Sequence, residues 1–542
     1  MNNLEINMEK LMGEGKKTET PLGRFQRLLN SGDLSAAEQY ALKISNDDST
    51  RFSLLSLIDI ASKKFDHAAD KLRVAIQLNK ENHLAKGYLG LCEVARKQWR
   101  TAEKLLDEAL IAFPEDLNFL LNRAIVYSEN QQFDESLNIT SRLLKKNPGP
   151  NVYSLHIGAL RAKYEFEPAL KAMDEALEKF PEQIDLLKIK ADLLSEIDPK
   201  QAVNTYDYIA SKTNLGAATK WNASFSYLRL EKFQIGFEYY ENGLSSDIGK
   251  IGRPLPIITK NLARVDAVNA IDPERWVVIA GEQGIGDQVY FASVLKELSQ
   301  ITEKIILVCD KRMIPIFRRS FPKISVHEFG LINLLKNNDQ VQGLIPIGSL
   351  MKDFRRKKKD FEKGRATYLI ADSAKVEKFR KKLKEFGANK PLIGISWTGG
   401  FWERQKKGKS IMLEHWEPII SRKDVTFVSL QYGDTKKEQD YCKTNGYNVK
   451  FIEGVNFQND LDTWHALITS CDVILSISTA MVHFAAASGK KVYLLLNTTQ
   501  QPFCWGLRST KSFVYPDVNI VRMTEKESVT EYFGRISKLF EG

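Results

Sequence analysis

Trp276-Val277-Val278-Ile279-Ala280-Gly281-Glu282-Gln283-Gly284-Ile285-Gly286-Asp287 decides how the second half of the chain is read. Residues 276–280 form an apolar run of strand length, residues 281–287 a glycine-rich turn, and residues 289–298 continue with helical spacing. A strand, a glycine-rich turn and a helix bring free backbone N–H groups and the positive end of a helix dipole to one spot, which makes a ready anion site. The turn ends in a carboxylate, Asp287, beside any anion bound there. The spacing G-x-x-G-x-G-D differs from the dinucleotide fingerprint G-x-G-x-x-G, and no Lys-Ser/Thr follows as a Walker A loop requires. Taken alone, the loop is equally a tight turn whose glycines only relieve backbone sterics.

Outward from this stretch, apolar runs at 304–308, 343–346, 392–396, 426–430, 450–452, 473–477 and 492–496 alternate with helical stretches. That alternation predicts parallel sheets. A charged helix at 374–385 marks the junction of two doubly wound lobes, with ligands expected at the carboxyl ends of the strands. Three polar sites follow strand ends in the second lobe. Ser396-Trp397-Thr398-Gly399-Gly400 precedes Arg404, Lys406 and Lys407, where glycines permit close approach and cations suit phosphate oxygens. In Ser429-Leu430-Gln431-Tyr432-Gly433, Gln431 or nearby backbone is suited to a nucleobase edge. Ser478 and Thr479 open the helix that carries His483, where hydroxyls and free N–H groups can hold a diphosphate. The plainer alternatives are a helix cap for Ser478 and Thr479, a core histidine for His483 and a core indole for Trp397.

The first half repeats with a period of about 34 residues. Gly90, Ala102, Ala109 and Pro114 recur as Ala124, Ser136, Leu143 and Pro148; Gly158, Ala169, Ala176 and Pro181 follow with a one-residue slip at the second helix. Ala68 and Ala75 precede this set, and Ala202 continues it. Small residues let paired helices approach, and proline ends the second helix. Residues 35–245 resemble the tetratricopeptide repeat family, although Tyr88 and Trp99 do not fall at its usual aromatic positions. Such arrays offer a concave docking surface for a peptide or protein, with a spacer or dimerisation module as the alternative.

Bulk properties narrow the class. A chain of 542 residues exceeds one core and predicts several domains. The net charge of +10 comes from scattered residues and runs such as Arg355-Arg356-Lys357-Lys358-Lys359, a solvated face that could also help hold an anionic nucleotide. No nucleic-acid motif accompanies it. Five widely spaced cysteines predict a reducing compartment and argue against a disulfide frame or structural zinc. The polar residues 1–20 lack the apolar core of a signal peptide, and no run has membrane-span length, so a cytoplasmic location is expected.

Together the motifs resemble a group of bacterial proteins that join tetratricopeptide repeats to a glycosyltransferase domain of GT-B type, nearest in pattern to the heptosyltransferase-like family 9 enzymes. The matching pieces are G-E-Q-G-I-G-D at 281–287, I-S-W-T-G-G at 395–400, S-L-Q-Y-G at 429–433 and S-I-S-T-A-M-V-H-F-A-A-A at 476–487, with Trp505 and Arg508. They span most of residues 230–525. The resemblance implies an all-α tetratricopeptide-repeat superhelix followed by an α/β GT-B domain of two Rossmann-like lobes. The divisions are an N-terminal segment (1–20), the repeats (21–250), a linker (251–275), an acceptor-side lobe (276–372) and a nucleotide-sugar lobe (373–542). It also implies inversion at the anomeric carbon without metal, and no cofactor beyond the nucleotide-sugar co-substrate. Asp287 would be the general base, with Gln283, Gly284 and Gly286 in the acceptor-side loop; Gly284 and Gly286 would let substrate approach the carboxylate. Trp397, Thr398, Gly399, Arg404, Lys406, Gln431, Ser478, Thr479 and His483 would bind the donor and its diphosphate.

Ser478-Thr479-Ala480 stands where those enzymes usually carry Asp-Thr-Gly, which leaves the donor sugar open. Asp460-Leu461-Asp462 matches the D-x-D of metal-dependent transferases but reads as a loop and helix cap before Trp464. The expected partners are a nucleotide-sugar and a protein acceptor held by the repeats, flagellin by analogy with similarly built bacterial enzymes, with homo-oligomerisation open. The alternatives are a lipopolysaccharide or polysaccharide transferase, and a non-enzymatic scaffold with a degenerate transferase domain.

Overall fold

The computed structural model describes residues 21–44, 47–245, 252–363, 367–385, 390–399, 409–497, 502–524 and 526–539. Contacts divide the chain into two compact units, 1–190 and 191–542. Among the described residues, fourteen α-helices precede the first strand, and those of the first unit form an all-helical, tetratricopeptide-like array.

The repeat period is built into the backbone. Helices pair as His83–Ala95 with Trp99–Ala112, and Leu117–Glu129 with Phe133–Lys146. The first helices of these pairs open on side-chain caps 34 residues apart, Asn82 accepting from Ala85 N and Asp116 from Phe119 N. The turn within each pair holds one non-glycine residue in the left-handed region: Lys63, Lys97, Gln131 and Tyr164. These lie 34, 34 and 33 residues apart, so the slip seen in the sequence falls at this turn. Each left-handed residue costs about 1–2 kcal/mol. The next N–H recovers part of that by reaching back five residues, as in Gln98 to Glu93 and Gln132 to Tyr127. Pro114, Pro148 and Pro181 each fall two residues beyond the second helix of a pair.

Close helix approach explains some of the small residues and not others. Ala68, Ala102, Ser136, Ala169 and Ala202 are fully buried. A Cβ on Gly90 would stand 2.8 Å from Leu106 Cγ, whereas Gly158, at the same phase, faces open space. Gly87 is the tightest point of this kind, its Cβ position lying 2.2 Å from Phe119 Cζ. Gly87→Ala is therefore expected to destabilise by about 1–3 kcal/mol through overpacking, although alanine favours a helix by about 1 kcal/mol. A lower urea midpoint of the helical circular-dichroism transition checks this, and a raised midpoint contradicts it. In the first unit Leu91, Leu121, Asn122, Ile125, Asn151 and Leu155 help line a groove of about 430 Å³ that carries no charged residue among the described ones.

The second unit holds two parallel sheets. Strands β1 (Trp276–Ala280), β2 (Ile305–Cys309), β3 (Ser325–Glu328) and β4 (Val341–Pro346) lie in the order β3-β2-β1-β4. Strands β5 (Leu392–Ser396), β6 (Thr426–Ser429), β7 (Val449–Lys450), β8 (Val473–Ile477), β9 (Lys491–Leu496) and β10 (Val518–Arg522) lie in the order β10-β9-β8-β5-β6-β7. Every pairing is parallel, so each connection crosses over. Strand order reverses between β1 and β4 in one sheet and between β5 and β8 in the other. Ligand crevices open at the carboxyl ends of strands flanking such switch points. The three motif loops after β1, β5 and β8 all start there.

The expected runs 276–280, 392–396 and 473–477 recur residue for residue; β3 and β10, both edge strands, were not expected. The run at 450–452 shrinks to Val449–Lys450, and the helix at 289–298 is instead Ile285–Ala292 followed by Leu295–Leu298. Within 252–275, residues 263–265 bridge to β4: Val265 N donates to Leu344 O and Leu344 N to Ala263 O. The basic run is partly spoken for. Arg355 is buried and pairs with Glu297 at 2.5 Å, and the more exposed Lys358 pairs with Glu231 at 2.8 Å.

Candidate functional site

The loop after β1 is anchored at each of its polar residues. Glu282 turns inward and pairs with Arg253 at 2.7 Å, both side chains fully buried, and it also accepts Gly348 N–H at 2.9 Å. Gln283 sits in the left-handed region at φ 59° and donates to the Tyr240 hydroxyl at 3.3 Å. Gly284 caps the helix Ile285–Ala292, and its N–H donates to Asp287 Oδ2 at 3.0 Å. Asp287 is thus the third residue of that helix and closes its first turn. Burial pushes its carboxyl up to about 6, with the Glu282 charge adding to the rise and the Gly284 N–H and Lys409 opposing it.

On the second sheet the loop after β5 is clasped by Gln431. Its Oε1 accepts from Ser396 Oγ (2.8 Å), Trp397 N (3.1 Å) and Thr398 N (3.0 Å), and its Nε2 donates to Tyr432 O. The Gln431 Oε1 is therefore committed to holding this turn, while Nε2 carries a second N–H and the residue also lines the cavity at the ends of β6 and β7. Trp397 is likewise core, with its indole buried and donating to Glu438. Thr398 Oγ1 and Gly399 N meet Ser410 Oγ at 2.8 and 3.4 Å.

After β8, Thr479 caps the helix Ala480–Ala487, but its side chain makes no capping bond. Among the described residues its buried hydroxyl has no hydrogen-bond partner. An orphaned buried hydroxyl at a helix N-terminus costs free energy unless something supplies its partner. Ser478 Oγ accepts from the Trp505 indole at 3.0 Å, and Trp505 stacks on His483 at 5.0 Å. His483 Nδ1 lies 3.1 Å from the Tyr515 hydroxyl. Burial and the Lys409 charge push this histidine down to about 3, so it is neutral at ordinary pH. It can hydrogen-bond a ligand but brings no charge to it.

These loops meet. A Cβ on Gly286 would stand 3.2 Å from both Ala480 Cα and His483 Cδ2, and one on Gly399 would stand 2.7 Å from Thr479 Cγ2. Gly286 is therefore small for the approach of the two helix starts, not for substrate access. Lys409, which no local sequence pattern marks, also belongs to this cluster. Burial lowers its ammonium while Asp287 raises it, and its charge is also felt at His483. It stands in the same basic stretch as Arg404 and Lys406, which lie outside the described residues. Asp460 caps the helix Leu461–Ser470 through Thr463 N at 2.9 Å, and Asp462 pairs with Arg319 (2.5 Å) and Lys375 (2.8 Å). The D-x-D carboxylates thus hold structure together, as the cap reading expected. No cluster of three or more metal-ligating side chains occurs among the described residues.

Two cavities border the site. One of about 660 Å³ lies at the ends of β6 and β7, lined by Ser429, Tyr432, Thr435, Phe451, Asn456 and Gln458 among others. The Tyr432 hydroxyl connects it to Gly399, at 3.7 Å from that residue's Cβ position. The second, of about 500 Å³, lies at the ends of β1, β2 and β3, lined by Gln283, Gln288, Asp310, Lys311, Arg312 and Glu328 among others. Both are in the size range of ligand sites, about 300–1,000 Å³.

Residues 94–156 match the family described as tetratricopeptide repeat. Over 556 residues the chain is 24% identical to Protein FlbA of Caulobacter vibrioides, covering 95% of this chain and 88% of that protein. Among solved structures, a tetratricopeptide repeat protein from Parabacteroides merdae is 14% identical with a TM-score of 0.34, covering 41% of this chain and 90% of its own. A thermophilic repeat protein from Thermus thermophilus is 19% identical with a TM-score of 0.26, covering 31% and 93%. The repeats mark a protein-interaction module. Among the described residues no helix is long and apolar enough to cross a membrane.

Proposed function

We propose that the second unit is an inverting, metal-independent glycosyltransferase of GT-B type, and that the repeats dock its protein acceptor. The observation that carries this reading is the convergence of three loops at the two switch points. A carboxyl raised to about 6, a cation, a neutral histidine and an unpartnered hydroxyl at a helix N-terminus all gather there. In the proposed step an acceptor hydroxyl loses its proton to Asp287 as its oxygen attacks the anomeric carbon of the donor. The bond from that carbon to the donor phosphate breaks, and the nucleotide leaves with the electron pair. Lys409, the Thr479 hydroxyl and the N–H groups opening the helix Ala480–Ala487 face the charge that builds on the leaving phosphate. Arg404 and Lys406, from the same basic stretch as Lys409, are the further cations in this role. The 660 Å³ cavity suits the nucleoside and the 500 Å³ cavity the acceptor. Flagellin is the acceptor suggested by the resemblance to similarly built bacterial enzymes.

A second reading, a repeat scaffold without catalysis, is favoured by the uncharged 430 Å³ groove of the first unit, which needs no chemistry to bind a partner. Thermal stabilisation by UDP, GDP, ADP, dTDP and CMP compounds, with magnesium and with chelator, separates the two. A ligand that binds only the folded state raises the melting temperature. A shift with one nucleotide, unchanged by chelator, is expected for the transferase. No shift with any member of the panel leaves the scaffold.

A further inference from the structure

The helix pair Ala217–Arg229 and Phe233–Tyr240 carries the repeat's turn, with Glu231 in the left-handed region. It nevertheless folds within the unit 191–542 and shares one apolar core with strand residues of both sheets, such as Ile279 and Leu392, and with Tyr290, Phe291 and Trp505. Tyr240 ends the pair. Its ring lies under the Arg253 guanidinium at 4.5 Å and touches Phe291 (6.1 Å) and Phe503 (6.2 Å), while its hydroxyl accepts from Gln283. Arg253 ties Glu241, the residue after Tyr240, to Glu282 through contacts of 2.7 Å to each. On the other side Phe225 meets Phe503 at 6.0 Å, two residues before the Trp505 that stacks on His483. The last repeat pair therefore touches both the 281–287 loop and the segment that supports Ser478 and His483.

We infer that Tyr240 is a positioning residue: with Arg253 it fixes the 281–287 loop, so that the placement of Asp287 depends on the terminal repeat pair and not on the α/β fold alone. The inference rests on the reading of Asp287 as the reacting group. Its physical basis is the strained backbone at Gln283. A non-glycine residue in the left-handed region relaxes unless its surroundings hold it there, and the Tyr240 hydroxyl is the hydrogen-bond partner of that side chain. The remaining repeats are free to dock a partner; this pair is spent on the site.

The test uses full-length Tyr240→Phe, which keeps the ring and its packing, and Gln283→Ala, which alters an exposed side chain. Hydrogen exchange of the amides from Glu282 to Gly286 is expected to quicken about five-fold in both, the worth of one ordinary hydrogen bond, while the β1 and β8 amides stay as slow as in the wild type. The double variant is expected to exchange no faster than either single one. In a transferase assay, kcat is expected to fall with little change in donor KM, and the pH midpoint to move down as Asp287 gains water. Unchanged loop exchange in both variants, or equal quickening across β1 and β8, overturns the positioning role whatever the protein catalyses. Quickened loop exchange in a protein whose wild type transfers nothing supports the positioning of the loop and removes the transferase reading instead.

Discussion

Asp287→Asn is expected to lower sugar transfer by about 10²–10⁴-fold, the usual contribution of a positioned general base. Asparagine keeps an oxygen that can accept the Gly284 N–H, so the helix start is retained and donor binding should persist. The wild-type rate should rise with pH and level off above about 6, the value to which burial lifts the carboxyl. The sign follows from the role: below that value Asp287 holds a proton and cannot take one from the acceptor. The residual rate of the variant should lack this midpoint. A retained midpoint in Asp287→Asn would assign the titration to another group and remove Asp287 from the base role.

Arg253→Met is expected to be the most damaging change to stability. The Arg253–Glu282 pair is fully buried, and removing one partner of such a pair costs about 3–5 kcal/mol because the other charge is left unsolvated. Replacing both partners is far less costly. Arg253→Met with Glu282→Gln should therefore lie closer to the wild type than Arg253→Met alone. Buried Trp397, Trp416, Trp464 and Trp505 make fluorescence-detected denaturation a report on this unit. A double variant as unstable as the single one, or worse, would mean that the charges do not offset each other as their geometry implies.

The features legible in the sequence are those fixed by local pattern. β1, β5 and β8 are central strands, buried on both faces, so they read as unbroken apolar runs. β3 is Ser-Val-His-Glu at a sheet edge, where half-exposed polar residues leave no such run. Asp287, Thr479 and His483 stand out as candidates because each follows a strand at a short distance. The role of Gln431 was not visible, because its three donors lie 33 to 35 residues away in sequence and meet it only after β5 and β6 pair. Lys409 was missed for a similar reason. Nothing local distinguishes it from Arg404 and Lys406; its nearness to Asp287 depends on how the chain returns to Thr398 through Ser410. Tyr240 reads as one more aromatic on a repeat helix until its hydroxyl is found on the loop before Asp287.

The most direct test of the central claim is transfer of labelled sugar from a panel of nucleotide-sugars into the proteins of a native-cell lysate deleted for this chain. Labelled protein is expected with one donor class, in the presence of chelator, and about 10²-fold or more less label with Asp287→Asn. No labelled protein with any donor, label confined to polysaccharide or lipid, or equal labelling by Asp287→Asn would contradict that claim.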